Sequence, residues 1–201
     1  MSVEVLGLVE ERLRSALGEP DGRAAVTFLG AERIEVLRFP DTARQLVRYA
    51  TVGMAAAPMA DPTAVLADPE RGPRAELLLT VRAGDPAVDG VPRALATVAA
   101  SPQVEGVVAA PGGSLDLGRP LWPGAPFTSV LLGEPNGTVP ELALPAPRDP
   151  VRFLPVLPLT PNEAAWKRAR GAPALLERWR ELGVDPLDPR RARVAPSGDT
   201  P

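Results

Sequence analysis

Phe153-Leu154-Pro155-Val156-Leu157-Pro158-Leu159-Thr160-Pro161-Asn162-Glu163 is the stretch that decides the fold. Val151 to Leu159 has the apolar, β-rich character of a strand, interrupted by Pro155 and Pro158. A proline cannot donate to a ladder, so two of them predict a strand at a sheet edge. Thr160-Pro161-Asn162-Glu163 is a complete capping box, with Thr at the N-cap, Pro at the first helical position and Glu at the third. It predicts a helix from Pro161 to about Arg170, stopped by Gly171. A final helix follows, with Leu175, Trp179 and Leu182 on one stripe and Gly183 behind it. Trp166 and Trp179 fall at positions that pack on a core.

Upstream, the same patterning gives the rest of the fold. Leu6, Val9, Leu13 and Leu17 recur at helical spacing, and Gly18 suits the end of a first helix. Three strands are predicted next: one around Val26 and Phe28, one from about Arg33 to Phe39, and one from Gln45 to Val52. The short turns between them favour antiparallel neighbours. Gly53 to Pro73 is a long loop punctuated by Pro58, Pro62, Pro69 and Pro73. Glu76 to Val81 is a strand with Leu77, Leu79 and Val81 on one face and Leu78 and Thr80 on the other; apolar on both faces, it belongs in the middle of a sheet. Val91, Leu95 and Val98 mark a helix over 91–100, ended by Ser101-Pro102. Phe127 to Leu132 is a further strand. The fold class is therefore α+β: a mostly antiparallel sheet packed by an N-terminal helix, a central helix and two C-terminal helices. Residues 1–184 form the domain. Residues 185–201, with Arg190, Arg191 and Arg193 among prolines and no apolar periodicity, predict a disordered tail, and removal of 186–201 is expected to leave stability unchanged.

Composition narrows the chemistry. The chain has 201 residues, enough for one domain, and 45% of them are apolar. There is no cysteine and no histidine. That excludes disulfides, thiolate nucleophiles, Ser-His-Asp and Cys-His sites, and metal sites built on either residue. Enzyme chemistry would have to rest on carboxylates, on Tyr49 or on the single lysine, Lys167. The formal net charge of −3 and the lack of a basic stripe argue against nucleic acid as a partner. Residues 1–18 have neither the positive region nor the apolar core of a signal peptide, and no window is long enough to span a membrane. A cytoplasmic protein is expected. The nearly all-arginine basic set, with abundant Ala, Pro and Gly, fits a GC-rich, bacterial coding sequence.

Few motifs are left to carry a reaction. Gly112-Gly113-Ser114-Leu115-Asp116 resembles a nucleophile elbow but has Asp116 where the elbow needs Gly, and no histidine to activate Ser114; it predicts a turn between loops. Asn136-Gly137-Thr138 is a turn. No cofactor-binding fingerprint is present, and no spacing singles out a pair of carboxylates. Glu76 opens an apolar strand, which predicts a buried or half-buried carboxylate paired with an arginine or with backbone donors.

Three stretches taken in order resemble one family. They are Tyr49-Ala50-Thr51-Val52-Gly53-Met54 with Pro58-Met59 and Pro62; Ala75-Glu76-Leu77-Leu78-Leu79-Thr80; and the strand and capping box from Phe153 to Glu163 with Gly171 and Leu175-Leu176. Their order and spacing, from about residue 45 to 182, look like the suppressor of fused domain family. The chain departs from the pattern at Ala55, where the family often has Ser, and at Val81-Arg82, where it often has Leu-Pro. The resemblance implies an α+β fold and a protein-binding role without an established active site. Animal members restrain transcription factors of the Hedgehog pathway with the help of a further C-terminal domain; some small bacterial members are proposed toxin-immunity proteins. The expected function is a non-catalytic protein-binding module whose partner is a toxin or a regulator. The alternative is a carboxylate-dependent hydrolase. Loop 53–73 and Trp122 are the candidate contacts. Met54 and Met59 either offer adaptable apolar contacts or fill the core, and Trp122, between prolines, is an exposed anchor candidate.

Overall fold

In the computed structural model, which describes residues 2–29, 31–60 and 68–191, the capping box forms as its residues dictate. Glu163 donates its backbone N–H to the Thr160 hydroxyl (3.4 Å), and Thr160 donates its own to the Glu163 carboxylate (2.7 Å). The helix they start, α3, spans Pro161–Arg170, and α4 spans Ala172–Glu181. The first helix, α1, is Ser2–Leu17, with Val5, Val9 and Leu13 buried. Seven strands complete the fold: β1 Gly22–Val26, β2 Ile34–Asp41, β3 Leu46–Val52, β4 Arg74–Arg82, β5 Ser114–Asp116, β6 Ser129–Leu132 and β7 Val151–Leu159. They form one sheet in the order β1-β2-β3-β4-β7-β6-β5, antiparallel throughout except for the parallel pair β4–β7.

Period-two alternation sends the two faces of this sheet to different helices. Leu77, Leu79 and Val81 of β4 join Val130, Leu132, Leu154 and Val156 under α2, which spans Val91–Glu105. Leu78 points the other way and packs with Val5, Val9 and Leu13 of α1. Farther along that second face, Leu131 and Leu159 meet Ala164, Leu175 and Trp179 of α3 and α4. The result is three layers, with α2 on one face and α1 beside the α3–α4 pair on the other.

Four expectations are corrected. The two prolines predict β7 at an edge, yet it lies between β4 and β6. The rule holds locally and fails as a statement about the strand. The Pro155 carbonyl accepts from Gly133 (2.7 Å), so its missing N–H faces β6, where the paired ladder begins only at Val156. Pro158, three residues on, faces β4, where the ladder has ended at Val156. Each missing donor thus falls past the end of the ladder it would have served. Second, α2 does not stop at Pro102 but runs on to Glu105, with Gly106 closing it in a left-handed conformation. The ring removes the N–H that Val98 would accept, and the Ser101 hydroxyl donates to that carbonyl instead (2.8 Å). Third, residues 114–116 are not a turn between loops but the edge strand β5.

The fourth concerns the C-terminus. Residues 185–191 are not a loose tail but lie in the gap where β4 and β7 part. The Arg82 N–H at the end of β4 donates to the Leu187 carbonyl (2.8 Å), and an Arg191 Nη donates to the Pro158 carbonyl of β7 (2.6 Å). Pro189 and Arg191 are buried. Residues 192–201 of the expected tail lie outside the described residues.

Candidate functional site

Glu76 sits at the start of the central strand and is fully buried. Its partners are donors, not an arginine. One carboxylate oxygen accepts from the backbone N–H groups of Gly53 (2.9 Å) and Ala55 (3.0 Å), and the other from the Thr51 hydroxyl (2.6 Å). Thr51 in turn accepts from the Leu77 N–H (2.8 Å). Burial pushes the Glu76 carboxyl above its ordinary value of 4.5, against the pull of these donors. Gly53 is required here: its φ of 140° is left-handed, and a Cβ would stand 2.6 Å from the Arg33 carbonyl oxygen. Glu76 therefore pins the loop that leaves β3 onto β4.

That pinned loop decides where the candidate contacts go. Met54 follows Gly53 into a short 3-10 turn, Met54–Ala56, and is buried. Met59 is buried as well; its N–H donates to the Pro73 carbonyl (2.8 Å) and its sulfur accepts from the Ala109 N–H (3.3 Å). Trp122 is not an exposed anchor. It is buried under α2, edge-on to Phe127 with ring centroids 5.5 Å apart, and lines a small apolar cavity with Leu79, Leu95, Val98 and Val156. All three side chains are core. Residues 61–67 of loop 53–73 lie outside the described residues.

Three exposed apolar side chains lie on neighbouring segments. Gln103, near the end of α2, accepts from the Glu32 N–H (2.7 Å) and donates to the Gly53 carbonyl (3.4 Å). The Ala109–Met59 contact adds a third tie. These bonds draw the segment after β1, the loop after β3 and the last turn of α2 together. Leu29 after β1 is fully exposed, Val104 on α2 is 53% exposed and Val108 just beyond it is 40% exposed. A helix over 91–100 hides this feature in the sequence. Extended by five residues, it puts Val104 off the Val91-Leu95-Val98 stripe, and that offset is the readable signal.

Lys167, the Gly112 and Gly113 N–H groups, Glu163 and Asp85 are all engaged. Lys167 donates to the Ser114 hydroxyl (3.1 Å), but the N–H groups of Gly112 and Gly113 already serve the carbonyls of Leu132 (2.8 Å) and Ala110 (2.9 Å) and cannot receive an oxyanion. Glu163 is buried among Thr160, Trp179 and Arg191, and Asp85 pairs with Arg190 (2.6 Å). Among the described residues no group of three His, Cys, Asp or Glu side chains could hold a metal ion, and no helix is long and apolar enough to cross a membrane.

Comparison with known proteins follows this geometry. The family model described as Suppressor of fused protein (SUFU) matches residues 30–192, most of the chain and through the segment that fills the β4–β7 gap. No curated protein matches by sequence. Among solved structures, a SUFU (suppressor of fused protein) homologue from Neisseria gonorrhoeae FA 1090 superposes with a TM-score of 0.71 at 18% identity, covering 98% of this chain and 100% of that one. A chain of the Sufu–Fu complex gives 0.64 at 12% identity, covering 94% of this chain and 90% of that one. Drosophila Suppressor of Fused gives 0.57 at 12% identity over 94% of this chain, which spans only 50% of the Drosophila chain. At these identities the superpositions establish the shared fold, and the family match over 30–192 establishes the kinship: the chain belongs to the suppressor of fused family.

Proposed function

We propose that this chain is a non-catalytic protein-binding module of the cytoplasm, acting as a toxin-immunity or regulatory protein, and that it meets its partner at the corner formed by Leu29, Val104 and Val108. The observation that carries the reading is the exposure of those three apolar side chains on segments fixed to one another through Gln103. Exposed apolar surface on a rigid support loses little entropy on binding and marks interaction sites. Two further facts support it. A relative of the same fold is found in the Sufu–Fu complex, so the fold is compatible with a protein partner. The net charge of −3 favours capture of a basic protein through complementary fields. The carboxylate-hydrolase alternative finds no support in the buried acids, because Glu76, Glu163 and Asp85 are each committed to the contacts described above.

The test is affinity capture from the native organism with the wild-type chain and a Leu29→Glu/Val104→Glu variant. Both positions are solvent-facing, so the variant keeps its fold by circular dichroism. A partner retained by wild type and lost by the variant supports the reading. A partner held equally by both removes this corner from the interface. A turnover of ester, phosphoester or glycoside substrates that vanishes on one Asp or Glu substitution removes the non-catalytic reading.

A further inference from the structure

The C-terminal segment ends in a contact that looks built to recognise one chemical group. The Arg191 guanidinium lies between two rings, its central carbon 4.6 Å from the Trp179 centroid and 4.7 Å from the Phe127 centroid. Its two terminal nitrogens form a fork on Glu163 (2.5 and 3.0 Å), and one of them also donates to the Pro158 carbonyl (2.6 Å). Arg191 is 6% exposed and Glu163 3%. Planar stacking plus a two-point carboxylate fork selects a guanidinium over an ammonium.

The groups that line the socket also have contacts outside the segment that fills it. Glu163 is oriented by the Thr160 N–H (2.7 Å) and by the indole N–H of Trp179 (3.0 Å), both from the α3–α4 unit. The Pro158 carbonyl has no β4 partner because the β4 ladder ends at Val156, which leaves it to Arg191. Phe127 is fixed by its edge contact with Trp122. The segment itself, residues 185–191, is neither helix nor strand. Apart from Arg191 it is held by the Arg82–Leu187 backbone bond, by the burial of Pro189, by the Arg82–Asp185 ion pair and by Arg190, which reaches the buried carboxylate of Asp85. The exposed Arg82–Asp185 pair holds weakly.

We propose that the pocket of Phe127, Trp179, Glu163 and Pro158 is an arginine socket, that Arg191 occupies it in cis, and that an arginine-bearing segment of a partner protein can take its place. Residues 185–191 are then an exchangeable strap. The socket shares no residue with the Leu29–Val104–Val108 corner, so either site can fail its test while the other stands.

The experiment uses the full chain carrying Arg191→Ala, with N-ethylguanidinium as the probe and ethylammonium at equal ionic strength as the control. Thermal unfolding and calorimetric titration are the readouts. The variant should melt below wild type and regain its midpoint with millimolar N-ethylguanidinium in a saturable, one-site manner. Wild type, with its socket filled, should not respond, and ethylammonium should do nothing to either. A blocked peptide of sequence Asp-Pro-Leu-Asp-Pro-Arg-Arg should bind the variant at least tenfold more tightly than its Lys-Lys counterpart. If Arg191→Ala does not fold alone, recovery of a cooperative transition in N-ethylguanidinium but not in ethylammonium gives the same support. The proposal is overturned if neither probe binds or restores folding, if ammonium and guanidinium act alike, or if wild type binds as well as the variant.

Discussion

Replacing Glu76 is the sharpest way to ask whether one buried carboxylate holds the loop after β3 to the central strand. Glu76→Ala removes the acceptor for the Gly53 N–H, the Ala55 N–H and the Thr51 hydroxyl. A buried donor left without a partner costs about 1–3 kcal/mol, so three of them cost about 3–9 kcal/mol. A domain holds only about 5–15 kcal/mol in total, so the alanine variant stands near or beyond the point of unfolding. Glu76→Gln keeps one oxygen for the two N–H groups and orphans the Thr51 hydroxyl alone, a cost of about 1–3 kcal/mol. The pH dependence has a definite sign. Burial raises the folded-state pKa, so the folded protein holds this proton more tightly than the unfolded chain does. The resulting stabilisation is complete below the ordinary value of 4.5 and is lost as pH rises through the folded value. Glutamine does not titrate, so the gap between wild type and Glu76→Gln should narrow as pH rises above 4.5. Urea unfolding at three pH values measures all of this. An alanine variant within about 1 kcal/mol of wild type, or a glutamine variant as damaged as the alanine one, refutes the hub, since a lost set of three donors has to cost more than one.

Thr160→Ala should lower stability by about 0.5–2 kcal/mol through loss of the N-cap acceptor, read from the urea midpoint. Trp122→Ala should cost about 3–5 kcal/mol by enlarging the cavity under α2, so any lost binding in that variant would trace to folding and show as a lowered melting temperature. Ending the chain after Val184 removes Arg191 and leaves Glu163 buried without its cation. That should cost about 3–5 kcal/mol and drop the melting temperature by roughly 6–20 °C for a domain of this size; an unchanged midpoint would mean that the segment contributes nothing.

What was legible in the sequence was local or periodic. The capping box needs only four consecutive residues, and the two-faced strand around Leu77 to Val81 needs only alternation; both stand in the structure as written. The errors arise where a residue's meaning depends on distant chain. Pro155 and Pro158 are tolerated inside the sheet because of where β4 and β6 happen to end. Trp122 sits among prolines with no periodic neighbours, and it is Phe127, α2 and the sheet residues Leu79 and Val156 that bury it. Arg191 is one arginine in a polar, proline-rich run; its ring partners and its carboxylate come from α3, α4 and the segment before β6. The exposed corner was half legible, since Val104 stands off the helical stripe once α2 is allowed to run through Pro102.

Hydrogen–deuterium exchange of the chain, alone and with its captured partner, asks most directly whether this is a protein-binding module that works through the corner at the end of α2. Slowed exchange should concentrate at residues 103–109 and at the segment following β1, with the sheet interior unchanged. Protection confined to other surfaces, with none at residues 103–109, would contradict the assignment.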